Sequence, residues 1–164
     1  MTDPCLEVFV KILRLPCGTL TLLALGVMPL QAQERTIQRT DLPPAVAAAA
    51  AEHSRDATVL EYSTEREAGQ TFYEMALRVR GHHKDILFDT AGAVVEIEEQ
   101  VALESLSASV RTALESRAGG ATIRTVEALT KQGRLVAYEA QLSKAGQRSE
   151  IQVGPMGETL DHEE

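Results

Sequence analysis

The side chains with the most chemical capacity fall in a few short stretches. Gly81-His82-His83-Lys84-Asp85 sets two imidazoles beside a carboxylate, a composition that suits zinc, nickel or copper. Adjacent histidines in extended chain point to opposite sides, so a polar hairpin tip is the expectation. Two acidic stretches, Glu96-Ile97-Glu98-Glu99 and Asp161-His162-Glu163-Glu164, could place carboxylates side by side and hold Ca²⁺ through oxygen. They define a weaker, alternative cation site of Glu96, Glu98, Asp161 and His162. No loop of alternating Asp and Asn fixes coordination there, and solvated edge charges explain the same residues. Catalysis has little foothold. The chain has no G-x-S-x-G, no H-E-x-x-H and no glycine loop for phosphate, and no histidine and acid neighbour Ser63 or Ser149 in a useful pattern. No enzyme activity and no cofactor are expected.

The chain has 164 residues, 16 Lys+Arg and 24 Asp+Glu, for a net charge of −8. The acidic balance leaves no basic stripe to neutralise phosphates, which argues against nucleic acid and against anionic membrane surfaces. At 44% hydrophobic residues the chain can bury a core. It has no Trp and only three Tyr and three Phe, so it lacks the aromatic platforms that stack bases.

Lys11 and Arg14 precede an apolar run from Leu15 to Leu30, which ends at Gln31-Ala32-Gln33-Glu34. This reads as a secretory signal peptide over residues 1–32, cleaved after Ala32. The run is short for the roughly 30 Å hydrocarbon core, so no stable membrane insertion is expected after cleavage. Leu30 at −3 is bulky, and retention as an inner-membrane anchor is the alternative. Both cysteines, Cys5 and Cys17, lie in the leader, so the mature chain carries no thiol for disulfides, catalysis or metal. Export into a bacterial periplasm or the medium suits such a chain.

Sliding the sequence by 65 residues pairs Tyr73-Glu74 with Tyr138-Glu139, Leu77 with Leu142, Gly81 with Gly146, Ile86 with Ile151 and Gly92 with Gly157. A slide of 64 pairs Leu42 with Leu106, Val46 with Val110, Ala57-Thr58 with Ala121-Thr122 and Gly69 with Gly133. A linker over 33–41 and two repeats, 42–100 and 101–164, follow. Each repeat opens with a helix: Pro43-Pro44 and an alanine run in the first, and Leu106, Val110, Leu114 and Ala118 every fourth residue before Gly119-Gly120 in the second. Strands are expected over 57–66, 73–79, 86–88 and 93–99, and again over 121–130, 138–143, 151–153 and 158–164. The predicted class is α+β: two tandem repeats, each a helix packed on one face of a four-stranded antiparallel meander.

In the first long strand Tyr73, Met75, Leu77 and Val79 alternate with polar residues, so one face is dry and the other wet. Phe72, Glu74, Arg78 and Arg80 are expected on the wet face, joined by Tyr62 from the neighbouring strand and by Glu139, the counterpart of Glu74. Aromatic and Arg side chains dominate binding hot spots, which makes this face the candidate protein-binding surface.

Taken in order, the leader, Leu42-Pro43-Pro44-Ala45-Val46, Ala57-Thr58-Val59, a glycine turn, Tyr73-Glu74-x-x-Leu77 and the Asp89-x-x-Gly92 hairpin resemble the PepSY-like family. The match extends over Leu42 to Glu164 and is similar to the tandem form grouped with the beta-lactamase inhibitor protein. The resemblance implies a small periplasmic or secreted domain whose open sheet face binds another protein, with an envelope or secreted peptidase as the class of partner to inhibit or regulate. It carries over no catalytic residue.

Overall fold

Strict alternation from Phe72 to Val79 builds a strand that is buried on one side, and the rest of the chain repeats that device. The computed structural model describes residues 34–164 apart from Ala68 and Glu163, so the expected signal peptide, its cleavage site and both cysteines lie outside the described residues. The elements run β1 (Arg35–Ile37), a 3-10 turn (Arg39–Asp41), α1 (Pro44–His53), β2 (Thr58–Glu67), β3 (Gln70–Val79), β4 (His82–Phe88) and β5 (Val94–Val101). A second 3-10 turn (Leu103–Ser105) then leads to α2 (Ala108–Ala118), β6 (Thr122–Lys131), β7 (Arg134–Lys144) and β8 (Gln147–Val153).

The expected pair of helix-plus-four-strand meanders is not what forms. All eight strands make one continuous antiparallel sheet in chain order, so the described structure is mostly β with two short helices. The reason lies at the seam. Glu96 to Val101 of β5 pair with Lys131 to Val126 of β6, which joins the halves by backbone hydrogen bonds across α2. The second half also lacks a fourth strand. The Gly154 amide donates to the Glu158 carbonyl at 2.9 Å and the Met156 amide to the Glu158 carboxylate at 2.8 Å, closing a turn after which the described tail makes no ladder. At the other edge, the stretch read as a linker supplies β1, paired with β2 through Ile37 and Tyr62.

Both helices lie on one face. Leu42, Val46 and Ala50 pack with Met75, Leu77, Ile86 and Phe88, joined by partly buried Ile97 of β5. Leu106, Val110, Leu114 and Ala118 pack with Val126, Ala140, Leu142 and Val153, joined by Val101, which projects from β5 to the same side as Ile97. The fourfold spacing in α2 therefore marks its buried stripe, as expected. Ser107 caps that helix, accepting from the Val110 amide at 3.3 Å, and Gly119 ends it with φ 57°.

Close approach of helix to sheet depends on two glycines. A Cβ on Gly92 would stand 2.7 Å from the Ala45 carbonyl oxygen, and one on Gly157 2.8 Å from that of Ser109; both glycines have φ above 80°. Gly92→Ala is expected to lower the unfolding free energy by about 1–3 kcal/mol, read from urea midpoints, because strained φ and a backbone clash coincide there. An unchanged midpoint would mean that α1 shifts freely.

Candidate protein-binding face

The opposite face carries the charge. Partners across an antiparallel ladder project to the same side, so the register assigns its residues. At one level Ser63 faces Glu74, Glu74 faces Leu87, Leu87 faces Glu96 and Glu96 faces Lys131. At the next, Ala76 faces Asp85, Asp85 faces Glu98 and Glu98 faces Leu129. At a third, Gln100 faces Glu127, Glu127 faces Glu139 and Glu139 faces Gln152. Carboxylate thus stands directly opposite carboxylate twice, at Asp85/Glu98 and at Glu127/Glu139, a pairing that costs stability when both are ionised.

The environment makes ionisation costly. Burial, then the charges of Glu96 and Glu127, push Glu98 up to about 8. Burial, then Asp85, push Glu74 up to about 7, against the hydrogen bond that the Ser63 hydroxyl donates to it at 3.1 Å. Glu65, Asp85 and Glu127 are raised as well, each chiefly by burial. Asp85 is held on one side only: His83 Nδ1 lies 3.0 Å from its Oδ2, while its buried Oδ1 has no hydrogen-bond partner among the described residues. Lys131 Nζ, 3.6 Å from Glu96 Oε2, offsets part of the charge. Between these strands lies a depression of about 190 Å³ lined by Glu65, Glu74, Asp85, Leu87, Glu96 and Glu98.

Of the residues expected on this surface, Phe72, Glu74 and Arg78 share it on β3, and Glu139 reaches it from β7, accepting from Gln152 Nε2 at 2.8 Å. Arg78 Nη1 donates to the Gly81 carbonyl at 3.2 Å. Arg80 stands in the exposed turn between β3 and β4, with φ 51°. Tyr62 is a correction. It pairs with Met75 in the register that runs unbroken from the Glu67/Gln70 hairpin, packs on the α1 core and lines a separate groove of about 690 Å³ beside β1; the bulge between Val59 and Glu61 lets Val59 and Tyr62 share that side. The alternative cation residues are not brought together: Glu96 and Glu98 sit on β5, whereas Asp161 and His162 follow β8, three strands away. Among the described residues no three His, Cys, Asp or Glu side chains could hold a metal ion. His82 and His83 open β4, a position whose alternation sends them to opposite faces.

Sequence reasoning missed Asp85, Glu127 and Gln152 as members of this face. Their alternation within each strand was visible, but the register that opposes them was not.

No family model matches the chain, and no curated protein matches it. Solved structures do. It resembles a protein described as periplasmic from Bacteroides eggerthii (16% identity, TM-score 0.59, over 71% of this chain and 84% of that one). It is also similar to a DUF2874 family protein from Bacteroides ovatus (17%, 0.58, 73% and 84%) and to a BLIP-like protein from Bacteroides fragilis (18%, 0.53, 71% and 81%). At these identities the likeness is one of fold, and the fold is BLIP-like. The periplasmic or secreted location expected from the leader agrees with the description of the first neighbour. Among the described residues no helix is long and apolar enough to cross a membrane.

Proposed function

We propose that this chain is an exported, non-enzymatic, PepSY-like protein that holds a protein partner on its open sheet face. The observation that carries the reading is the asymmetry of the sheet. Both helices cover one side, while the other presents Phe72, Arg78 and a field of carboxylates across β2 to β7, with the tail touching it at Gln152, whose Oε1 accepts from the Glu164 amide at 2.8 Å. A face that keeps opposed carboxylates at a cost in stability serves something other than folding, and a surface of cationic groups on the partner would relieve that cost. The resemblance to PepSY-like domains makes an envelope or secreted peptidase the partner class to test first, with inhibition or regulation as the outcome. The non-enzymatic part rests on the sequence, which offers no nucleophile in a catalytic setting.

The test is affinity capture from envelope and culture-medium extracts of the source organism, read by mass spectrometry. Phe72→Ala with Arg78→Ala is expected to abolish capture of the partner while the circular dichroism spectrum stays that of the wild type. Equal capture by the variant would mean that another surface is used.

A further inference from the structure

At the slide of 64 residues one stretch of the fold occurs twice. A strand end (Arg35–Ile37, then 99–101), a 3-10 turn, a helix and a bulged strand (β2, then β6) follow in the same order, with bulges at Val59/Glu61 and Ile123/Thr125. Each time the leading strand pairs with the later part of the bulged one and turns away from its start, and a groove opens there. The second groove, about 360 Å³, has β4 beside it. Lys84 pairs with Glu99 across that ladder, Nζ to Oε2 3.4 Å, and His82 joins Val101 in the lining. The first groove, about 690 Å³, has no such neighbour, because β1 ends the sheet among the described strands.

The free edge is set up for pairing. Glu67 and Gln70 flank a two-residue turn, so bonded pairs alternate from it, and Thr64 and Tyr62 bond outward to Arg35 and Ile37. The N–H and C=O of Thr36 then point away from β2. Arg35 stands where the second half has Glu99, is exposed, and makes no ion pair among the described residues. Leu60, 46% exposed, stands where the second half has Arg124, and lines the groove with Ile37, Val59 and Tyr62.

We propose that the β1 edge takes an extended segment of another protein, antiparallel, in the place that β4 takes beside β5. Continued from Lys84/Glu99, the β4 register sets His83 opposite Gln100, whose Oε1 accepts from the His83 amide at 3.0 Å, and His82 opposite Val101. An incoming strand in that place sets three successive residues opposite Ile37, Thr36 and Arg35. The first and third project to the helix side, as Ile37 does. An apolar side chain at the first covers Ile37 and Leu60 in the groove, and an acidic one at the third pairs with Arg35 as Lys84 pairs with Glu99, with the charges exchanged. The middle residue bonds the Thr36 backbone. The segment recognised is thus extended and reads apolar, any residue, acidic, with the main chain giving affinity and the two side chains selectivity. This site lies at the sheet edge and does not depend on the open-face partner proposed above.

Titration of the isotope-labelled protein with the end-blocked peptide Thr-Val-Thr-Leu-Thr-Glu-Thr, followed by NMR to about 2 mM peptide, tests it. Saturable binding is expected, with the largest shifts at the amides of Thr36 and Leu60. The same peptide with Lys in place of Glu is expected to bind about tenfold more weakly, and Arg35→Glu to exchange that preference. Leu60→Arg, which gives the groove the residue of its counterpart, is expected to weaken binding by about fivefold while the melting temperature stays that of the wild type. Phe72→Ala with Arg78→Ala is expected to bind the peptide as the wild type does, which separates this site from the open face. Absence of binding, shifts confined to the open face, an unchanged preference in Arg35→Glu or an unchanged affinity in Leu60→Arg overturns the proposal.

Discussion

Phe88→Ala lowers the unfolding free energy by about 3–5 kcal/mol, the cost of emptying an aromatic site in a packed core. Phe88 is among the largest fully buried side chains, 1% exposed, and sits where β4 ends beneath α1. Its ring meets that of His53 edge-on at 5.9 Å, so the loss uncouples the end of α1 from the sheet as well as leaving a cavity. Set against the roughly 5–15 kcal/mol that holds most domains folded, the change is a large share of the total. Urea unfolding measures it. A loss under about 1 kcal/mol would show that α1 settles into the space, contrary to a core built from close helix–sheet contact.

The second large effect is on pH dependence. A carboxyl whose folded pKa lies above its unfolded value binds its proton more tightly when folded. The stability it lends is complete below the unfolded pKa of 4.5 and is lost as pH rises through the folded values, about 7 for Glu74 and about 8 for Glu98. The wild type is therefore expected to melt lower at about pH 8.5 than at about pH 5.5. Glu98→Gln keeps the shape of the protonated acid and removes the charge. It should raise the melting temperature at the alkaline pH by about 3–5 °C, the change that roughly 1 kcal/mol makes in a domain of this size, and leave it nearly unchanged at the acid pH. Equal gains at both pH values would point to packing, and no gain at either would show that solvent relaxes the charge on Glu98.

What the sequence revealed was local, and what it hid was register. Alternation at Tyr73 to Val79 and at Tyr138 to Leu142 marked β3 and β7, the fourfold spacing at Leu106 to Ala118 marked α2, and Pro43-Pro44 with the alanine run after it marked α1. Each depends on residues close in the chain. The continuous sheet depends on β5 meeting β6 across an intervening helix, which no short-range pattern encodes. The same limit hid the face. Phe72, Glu74 and Arg78 follow from parity within one strand, but the opposition of Asp85 to Glu98 and of Glu127 to Glu139 needs the pairing of separate strands. Tyr62 lies on the helix side together with Val59 because the bulge between Val59 and Glu61 breaks the alternation that would separate them.

The carboxylate face also links the two readings of the chain. As a stability device it is poor, since burial and like charge make it costly to ionise Glu74, Asp85, Glu98 and Glu127. As a docking surface it is prepared, because a cationic partner recovers the energy that the free protein forgoes.

The most direct test sets the two faces against each other in one capture experiment. Wild type, the open-face variant Phe72→Ala with Arg78→Ala, and a helix-side variant, Glu115→Ala with Arg117→Ala on the exposed surface of α2, are compared on the same extract. The account predicts one partner captured by the wild type and the helix-side variant and lost by the open-face variant. Loss with the helix-side variant and retention with the open-face one would contradict it.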